Sequence, residues 1–361
     1  MASASSVSRL LVIIILINVG AISDTTIFAI ASAAGLLSSP KLLEREALLG
    51  TGWWVNNWAT GNYTSYHCKW TGISCNSAGS IIGVSLLWYE NDNITGELGR
   101  FKFSCFPNLR SFKIHSNYSI SRSIPSEITA LPMLQTLELP SNNLNGIIPS
   151  EIGRLRNFVH LDLSNNYLSV YIPPTLGRLS KLEILNLFSN FLYGNIPPTL
   201  CRLSKLKILN LSSNSLVGNI PPTLGQLTHL TTLAIAWNQI NGSIPLGIGS
   251  LEALQVLDLS KNEIEGSTPS TRGHLKRLRS LDLSLNELVG PIPLSVGHLT
   301  QLTFFNMYSN HINGCIPLEI GNLNFLQVLD MYHNKLEGPI PLTIASLVNL
   351  TSLFLCNNNL T

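Results

Sequence analysis

The chain has 361 residues, of which 45% are hydrophobic and only 12% charged, with a formal net charge of +2 at pH 7. A balance so close to neutral gives no electrostatic basis for binding nucleic acid or an acidic membrane surface. The length alone would suggest two domains, but a repeat array grows in one dimension and needs no single large core.

At the N-terminus, Arg9 precedes an apolar run from Leu10 to Ile17, and small residues follow, with Ala31-Ser32-Ala33 as a cleavage site. This pattern predicts a signal peptide over 1–33. The 13 residues from Leu10 to Ile22 fall well short of the ~20 that a spanning helix needs. No later stretch is long and apolar enough either, so no membrane segment is expected and the chain reads as exported. Six cysteines then face an oxidising compartment, where pairing is the default. Cys68 and Cys75 form the one obvious pair. Cys105, Cys201, Cys315 and Cys356 are scattered and read as free, small, mostly buried thiols.

Residues 34–80 read as a cap. Glu44-Arg45-Glu46-Ala47-Leu48-Leu49 has helical character and is followed by Trp53, Trp54 and Trp58, then Cys68-Lys69-Trp70-Thr71-Gly72-Ile73-Ser74-Cys75. The end of a stacked array exposes apolar faces that must be covered, and a short helix, aromatic rings and a small disulfide loop suit that task.

From 81 to 361 the chain keeps a beat of 24 residues. Asn recurs at 142, 166, 190, 214, 238, 262, 286, 310, 334 and 358, and Pro at 125, 149, 173, 197, 221, 245, 269, 293, 317 and 341. The unit reads L-x-x-L-x-L-x-x-N-x-L-x-G-x-I-P, complete in Leu230 to Pro245. Such self-similarity predicts a leucine-rich-repeat solenoid of about 12 units, an α/β superhelix with a parallel sheet on its concave face. The x-Leu-x-Leu-x segment is the strand, with leucines inward and the intervening residues outward. The recurrent Asn turns inward, where its amide can satisfy backbone groups of its own and the adjacent repeat. Gly permits the bend, and Ile-Pro sets an extended exit to the convex side. The early units are irregular: Ile82-x-Val84-x-Leu86 reads as a degenerate first repeat, Val170 and Arg122 replace the turn Gly, and Thr268 replaces the Ile before Pro269. The beat stops mid-turn after Asn358, which reads as a fragment or truncated product.

The cap motif on Trp58, Cys68, Trp70, Gly72, Ile73 and Cys75, together with the repeat series, resembles the ectodomains of plant leucine-rich-repeat receptor-like kinases from about Leu42 to Thr361. That resemblance implies an extracellular peptide or protein ligand on the concave or lateral face, a leucine-rich-repeat coreceptor, and a cytoplasmic kinase in full-length members. No kinase motif occurs here. Two other readings are a secreted protein resembling polygalacturonase inhibitors and a kinase-less receptor-like protein.

Residues on the beat are scaffold, so recognition is sought off it. Against a background of Leu-Asp-Leu-Ser strands, outward aromatics stand out: Phe304, Asn306 and Tyr308 on one repeat, Asp330, Tyr332 and His333 on the next, with Phe188 and Trp237 nearer the middle. Rings with a polar tip bury large area and still hydrogen-bond, which suits a ligand surface; alternatively, they pack on one another across the sheet. Arg154, Arg178 and Arg202, flanked by Lys181 and Lys205, form a convex stripe that reads as a solvated face. Sequons at Asn62, Asn93, Asn210, Asn241, Asn349 and Asn359 are expected glycan acceptors, and one at Asn117 falls at a buried ladder phase. The eight histidines are scattered and no catalytic or cofactor constellation appears, so a binding module is expected.

Overall fold

A computed structural model describes residues 40–54, 66–87, 96–115, 120–270 and 275–361. The expected signal peptide, Trp58 and the sequons at Asn62, Asn93 and Asn117 lie outside these residues. The described chain is a solenoid whose concave sheet has 13 strands. Its first pair, Ile73–Cys75 with Ile81–Leu87, is antiparallel, and every later pair is parallel. Register never slips between the regular repeats: Leu161, Leu185 and Leu209 lie side by side, 24 residues apart. The inward leucines form an unbroken core, most of them fully buried.

Each strand ends in the same backbone device. The residue before the ladder Asn is left-handed in every repeat from Ser141 (φ 56°) to Asn357 (φ 56°), including Trp237 and Leu285. That kink turns the Asn side chain inward. Asn190 donates from Nδ2 to the carbonyls of Leu163 and Leu187 at 3.0 and 3.2 Å, and its Oδ1 accepts from Leu168 N at 3.0 Å. One side chain thus satisfies backbone groups of two repeats, and the pattern repeats to Asn358.

After the turn the chain pairs laterally in two further parallel sheets. One runs from Gly96–Glu97 to Gln239–Asn241, the other from Glu265–Ser267 to Asn359–Leu360, and the isolated bridge Ser243 to Glu265 lies between them. Ile-Pro then leads into a five-residue 3-10 turn on the convex side, such as Pro174–Arg178, whose third residue is buried. Gly177 in that turn packs so tightly that a Cβ would collide with the Thr199 carbonyl of the next repeat.

The cap helix spans Pro40–Leu49. Its buried Glu44 accepts from Ser80 Oγ at 2.5 Å and Ile81 N at 3.0 Å, tying the helix to the first concave strand. The Cys68–Cys75 disulfide is formed. Trp53, Phe101, Phe106 and Phe112 then close the N-terminal end, with Phe101 and Phe106 rings 4.4 Å apart and Trp53 and Phe101 5.9 Å apart.

Two expectations need correction. The first repeat runs Ile81-x-x-Val84-x-Leu86: Ile81 is the buried residue, and Ile82 stays half-exposed. The unpaired cysteines are not mostly buried. Cys105 and Cys201 are half-buried, whereas Cys315 and Cys356 are exposed. Cys315 occupies the variable site of the Gly-x-Ile-Pro turn, and Cys356 an outward site at the last strand, so neither lies on an inward row.

Candidate functional site

The concave sheet presents its outward residues in rows, and the C-terminal repeats gather most of the predicted ones. Strands Phe304–Asn306 and Val328–Asp330 pair directly. Beyond them Tyr308 and Tyr332 stack with ring centroids 5.5 Å apart. The tyrosines therefore pack on each other and also leave one edge half-open. Tyr332 is held further by Asn357, which donates to its hydroxyl at 2.8 Å, and by the ring of His333 at 6.0 Å. Asn306 and Asp330 lie at the feet of the rings, their Oδ1 atoms each accepting from the tyrosine backbone N–H at 2.9 Å. Asn306 Nδ2 reaches Asp282 Oδ2 at 3.3 Å. Burial pushes the Asp330 carboxyl up, the bond from Tyr332 N–H partly offsets this, and the Asp282 charge adds to the rise. The result is an aromatic platform floored by carboxylates, a surface that suits an amphipathic ligand carrying donor groups.

Phe188 and Trp237 stand apart from this platform. Phe188 is half-buried in the middle of the sheet. Trp237 occupies the left-handed site before Asn238, 55% exposed, with Lys261 Nζ 3.3 Å above its ring. That distance makes a close cation–π pair within the chain. Of the described sequons, Asn241, Asn349 and Asn359 are exposed, while Asn210 is half-buried with its Oδ1 accepting from Ser212 N at 3.1 Å. Arg154, Arg178 and Arg202 end successive convex turns and are all exposed.

Two features escaped the sequence reading. On the N-terminal part of the concave face, buried Glu138 accepts from Lys113 Nζ at 2.9 Å, His115 Nε2 at 3.1 Å and His160 Nδ1 at 3.1 Å. On the lateral sheet, Tyr167 and Phe191 stack at 5.9 Å beside exposed Tyr171 and Tyr193. Phasing the residues that follow each ladder Asn would have exposed the second, since Tyr167 and Phe191 are 24 apart. Among the described residues the one cluster of potential metal ligands is His67 with Cys68 and Cys75, whose sulfurs are joined to each other.

Leucine-rich-repeat family models match residues 132–192 and 252–312, 205–227 and 325–347, and 226–244, together just over half of the chain. The chain belongs to the leucine-rich-repeat family. Its architecture is that of plant leucine-rich-repeat receptor-like kinase ectodomains. The structure of the PEPR1–AtPEP1 complex superposes with a TM-score of 0.74 at 27% identity, covering 88% of this chain and 48% of that one. The Arabidopsis receptor kinase HAESA ectodomain, in complex with an N-terminally extended IDA peptide hormone, gives 0.72 at 29% identity, covering 90% of this chain and 58% of that one. Another HAESA structure also holds the co-receptor SERK1. In sequence, phytosulfokine receptor 1 of Arabidopsis thaliana is 34% identical over 93 residues, 25% of this chain and 9% of that protein. The leucine-rich-repeat chain thus spans about half of the solved ectodomains it matches first, and its match covers under a tenth of the curated relatives. No described helix is long and apolar enough to cross a membrane.

Proposed function

We propose that this chain is the extracellular ligand-recognition module of a plant leucine-rich-repeat receptor, binding a peptide or protein on its concave face in cell-surface signalling, either developmental or defensive. The observation that carries this reading is the Tyr308–Tyr332 platform over Asp282 and Asp330, four partly open side chains contributed by three adjacent repeats. Fold alone would not carry it, since one scaffold hosts many functions. The same reading assigns residues 1–33 to export and 34–80 to the cap. It makes Asn241, Asn349 and Asn359 the favoured glycan acceptors and places kinase activity in a separate region of a full-length receptor. The lateral Tyr167–Phe191 row, with Tyr171 and Tyr193, is the surface assigned to a leucine-rich-repeat coreceptor, because contiguous exposed aromatics mark protein contacts.

The test is capture from apoplastic fluid on the immobilised chain, read by mass spectrometry, beside the double variant Tyr308→Ala, Tyr332→Ala. The expected outcome is at least one peptide retained by the native chain and lost from the variant, with circular dichroism unchanged. Identical retained sets would remove the platform from the site.

A further inference from the structure

The N-terminal concave cluster has a geometry that a structural ion pair does not require. It runs diagonally across three strands. His115 closes Ser111–His115, Glu138 closes Thr136–Glu138, and His160 opens His160–Asp162. Lys113 sits directly beside Glu138 in the sheet register. One buried carboxylate thus holds three donors in fixed positions, while the donors themselves stay 27–39% exposed on the open face.

Hydrogen-bond roles follow from the chemistry. An ionised carboxylate only accepts, so the ring nitrogens facing Glu138 must donate. In each neutral imidazole the other nitrogen is then a bare lone pair: Nδ1 of His115 and Nε2 of His160. Neither makes a hydrogen bond to the described residues. Protonation converts both of these outward atoms from acceptors into N–H donors without moving either ring. Histidine is the side chain that makes this change between about pH 5 and 8.

The local charge changes sign with it. The charged and titratable groups on the described strands packed here are Lys113, His115, Glu138, His160 and Asp162, with Asn186 next in the row. Asp162 is already occupied: its Oδ1 accepts from Ser164 N and Oγ, and its Oδ2 from Asn186 Nδ2. With both imidazoles neutral the set carries one positive and two negative charges, a net of −1. With both protonated it carries +1 and two new outward donors. Glu138 stays ionised through this window. Burial pushes its carboxyl up, but the bond from Lys113, the charges of His160 and Lys113 and the bond from His115 outweigh that and hold it below the usual range.

We propose that Lys113, His115 and His160, preorganised by Glu138, form an acid-activated subsite for a carboxylate group of an acidic peptide. This rests on the reading of the concave face as the ligand surface, and it lies about seven repeats from the tyrosine platform. The two therefore succeed or fail separately.

The experiment measures fluorescence anisotropy of a fluorescein-labelled hexaglutamate peptide on the purified chain at pH 5.5 and 7.5 and constant ionic strength. Binding is expected to tighten roughly tenfold on acidification, the scale of about two partly screened charges. The double variant His115→Gln, His160→Gln should lose that gain, and the Tyr308→Ala, Tyr332→Ala variant should keep it. His115→Lys with His160→Lys should bind at both pH values, which also separates lost charge from lost folding. Acid-dependent binding that survives the glutamine variant would assign the effect to overall protein charge and overturn the proposal, as would no binding at pH 5.5. Displacement by millimolar sulfate as readily as by unlabelled peptide would make the site a general anion site and overturn the peptide assignment.

Discussion

The hydroxyls of Thr268 and Ser295 are both buried without a hydrogen-bond partner, and both line one half-open apolar cleft of about 60 Å³. The remaining walls are apolar, among them Ile248, Leu278, Val296 and Phe305. Thr268 stands where the adjacent repeats place Ile244 and Ile292 before the turn proline. An orphaned hydroxyl and an unfilled volume each cost stability. Thr268→Ile removes the first and reduces the second, so it is expected to stabilise the fold by about 1–2 kcal/mol. The check is a rise in the urea midpoint at unchanged slope; a lower midpoint would mean the hydroxyl is solvated and the volume already occupied.

Val170 is a second local fault. It has φ 75°, at the site where Gly146, Gly194 and Gly218 adopt φ 74–79°. A β-branched residue in the left-handed region costs about 1–2 kcal/mol, against about 0.5–1 kcal/mol for the extra chain entropy of glycine. Val170→Gly is therefore expected to gain a few tenths to 1 kcal/mol. Arg122, with φ 68°, differs because its Nε pairs with Glu97 at 2.7 Å. Losing that exposed pair offsets most of the relief, so Arg122→Gly should be close to neutral. Thermal melts of the two variants side by side test this ordering.

These faults show which parts of the molecule the sequence exposes. The inward leucines, the Asn ladder and the Ile-Pro turns recur every 24 residues, so periodicity alone places them. The left-handed residue before each Asn is hidden, because Ser141, Trp237, Lys261 and Leu285 share a conformation imposed by the ladder and not by their own propensities. The tyrosine platform was legible since its members occupy the same phase on neighbouring repeats. The Glu138 cluster was not. His115, Glu138 and His160 lie two, four and six residues before their ladder positions, and only the sheet's register brings that diagonal together. Cys315 was misjudged for a related reason: burial here follows lattice phase and not residue type.

Asp258 offers a test of the electrostatics. Burial pushes its carboxyl up, the bonds from Ser260 partly offset this, and the neighbouring Asp282 charge raises it further. A carboxyl whose folded pKa lies above its unfolded value favours folding when protonated, and that contribution is lost as pH rises through the folded pKa. At neutral pH Asp258 is thus a net cost. Asn186 and Asn210 fill the same site elsewhere and accept the same backbone bond two residues on. Asp258→Asn should therefore raise the melting temperature at pH 7, with the gain shrinking as pH falls into the carboxylate range. A gain independent of pH would point to packing and not charge.

The ladder itself predicts a gradient of tolerance along the solenoid. Asn190 is buried between complete repeats, and its loss strands Leu168 N and the carbonyls of Leu163 and Leu187. At about 1–3 kcal/mol for each buried group left unpaired, Asn190→Ala should cost at least ~3 kcal/mol. Asn190→Asp should cost more at pH 7, because it turns a carboxylate toward carbonyl oxygens that need a donor. Asn358 makes the equivalent bonds to Leu336 N, Met331 and Leu355, but on the last described strand, where Leu353 is 40% exposed. Water can reach the groups that Asn358→Ala strands, so that variant should cost less than half as much. Urea denaturation of the three variants decides it. Equal losses at 190 and 358 would mean the ladder acts through the whole array and not repeat by repeat, contrary to the nearest-neighbour stability expected of a solenoid.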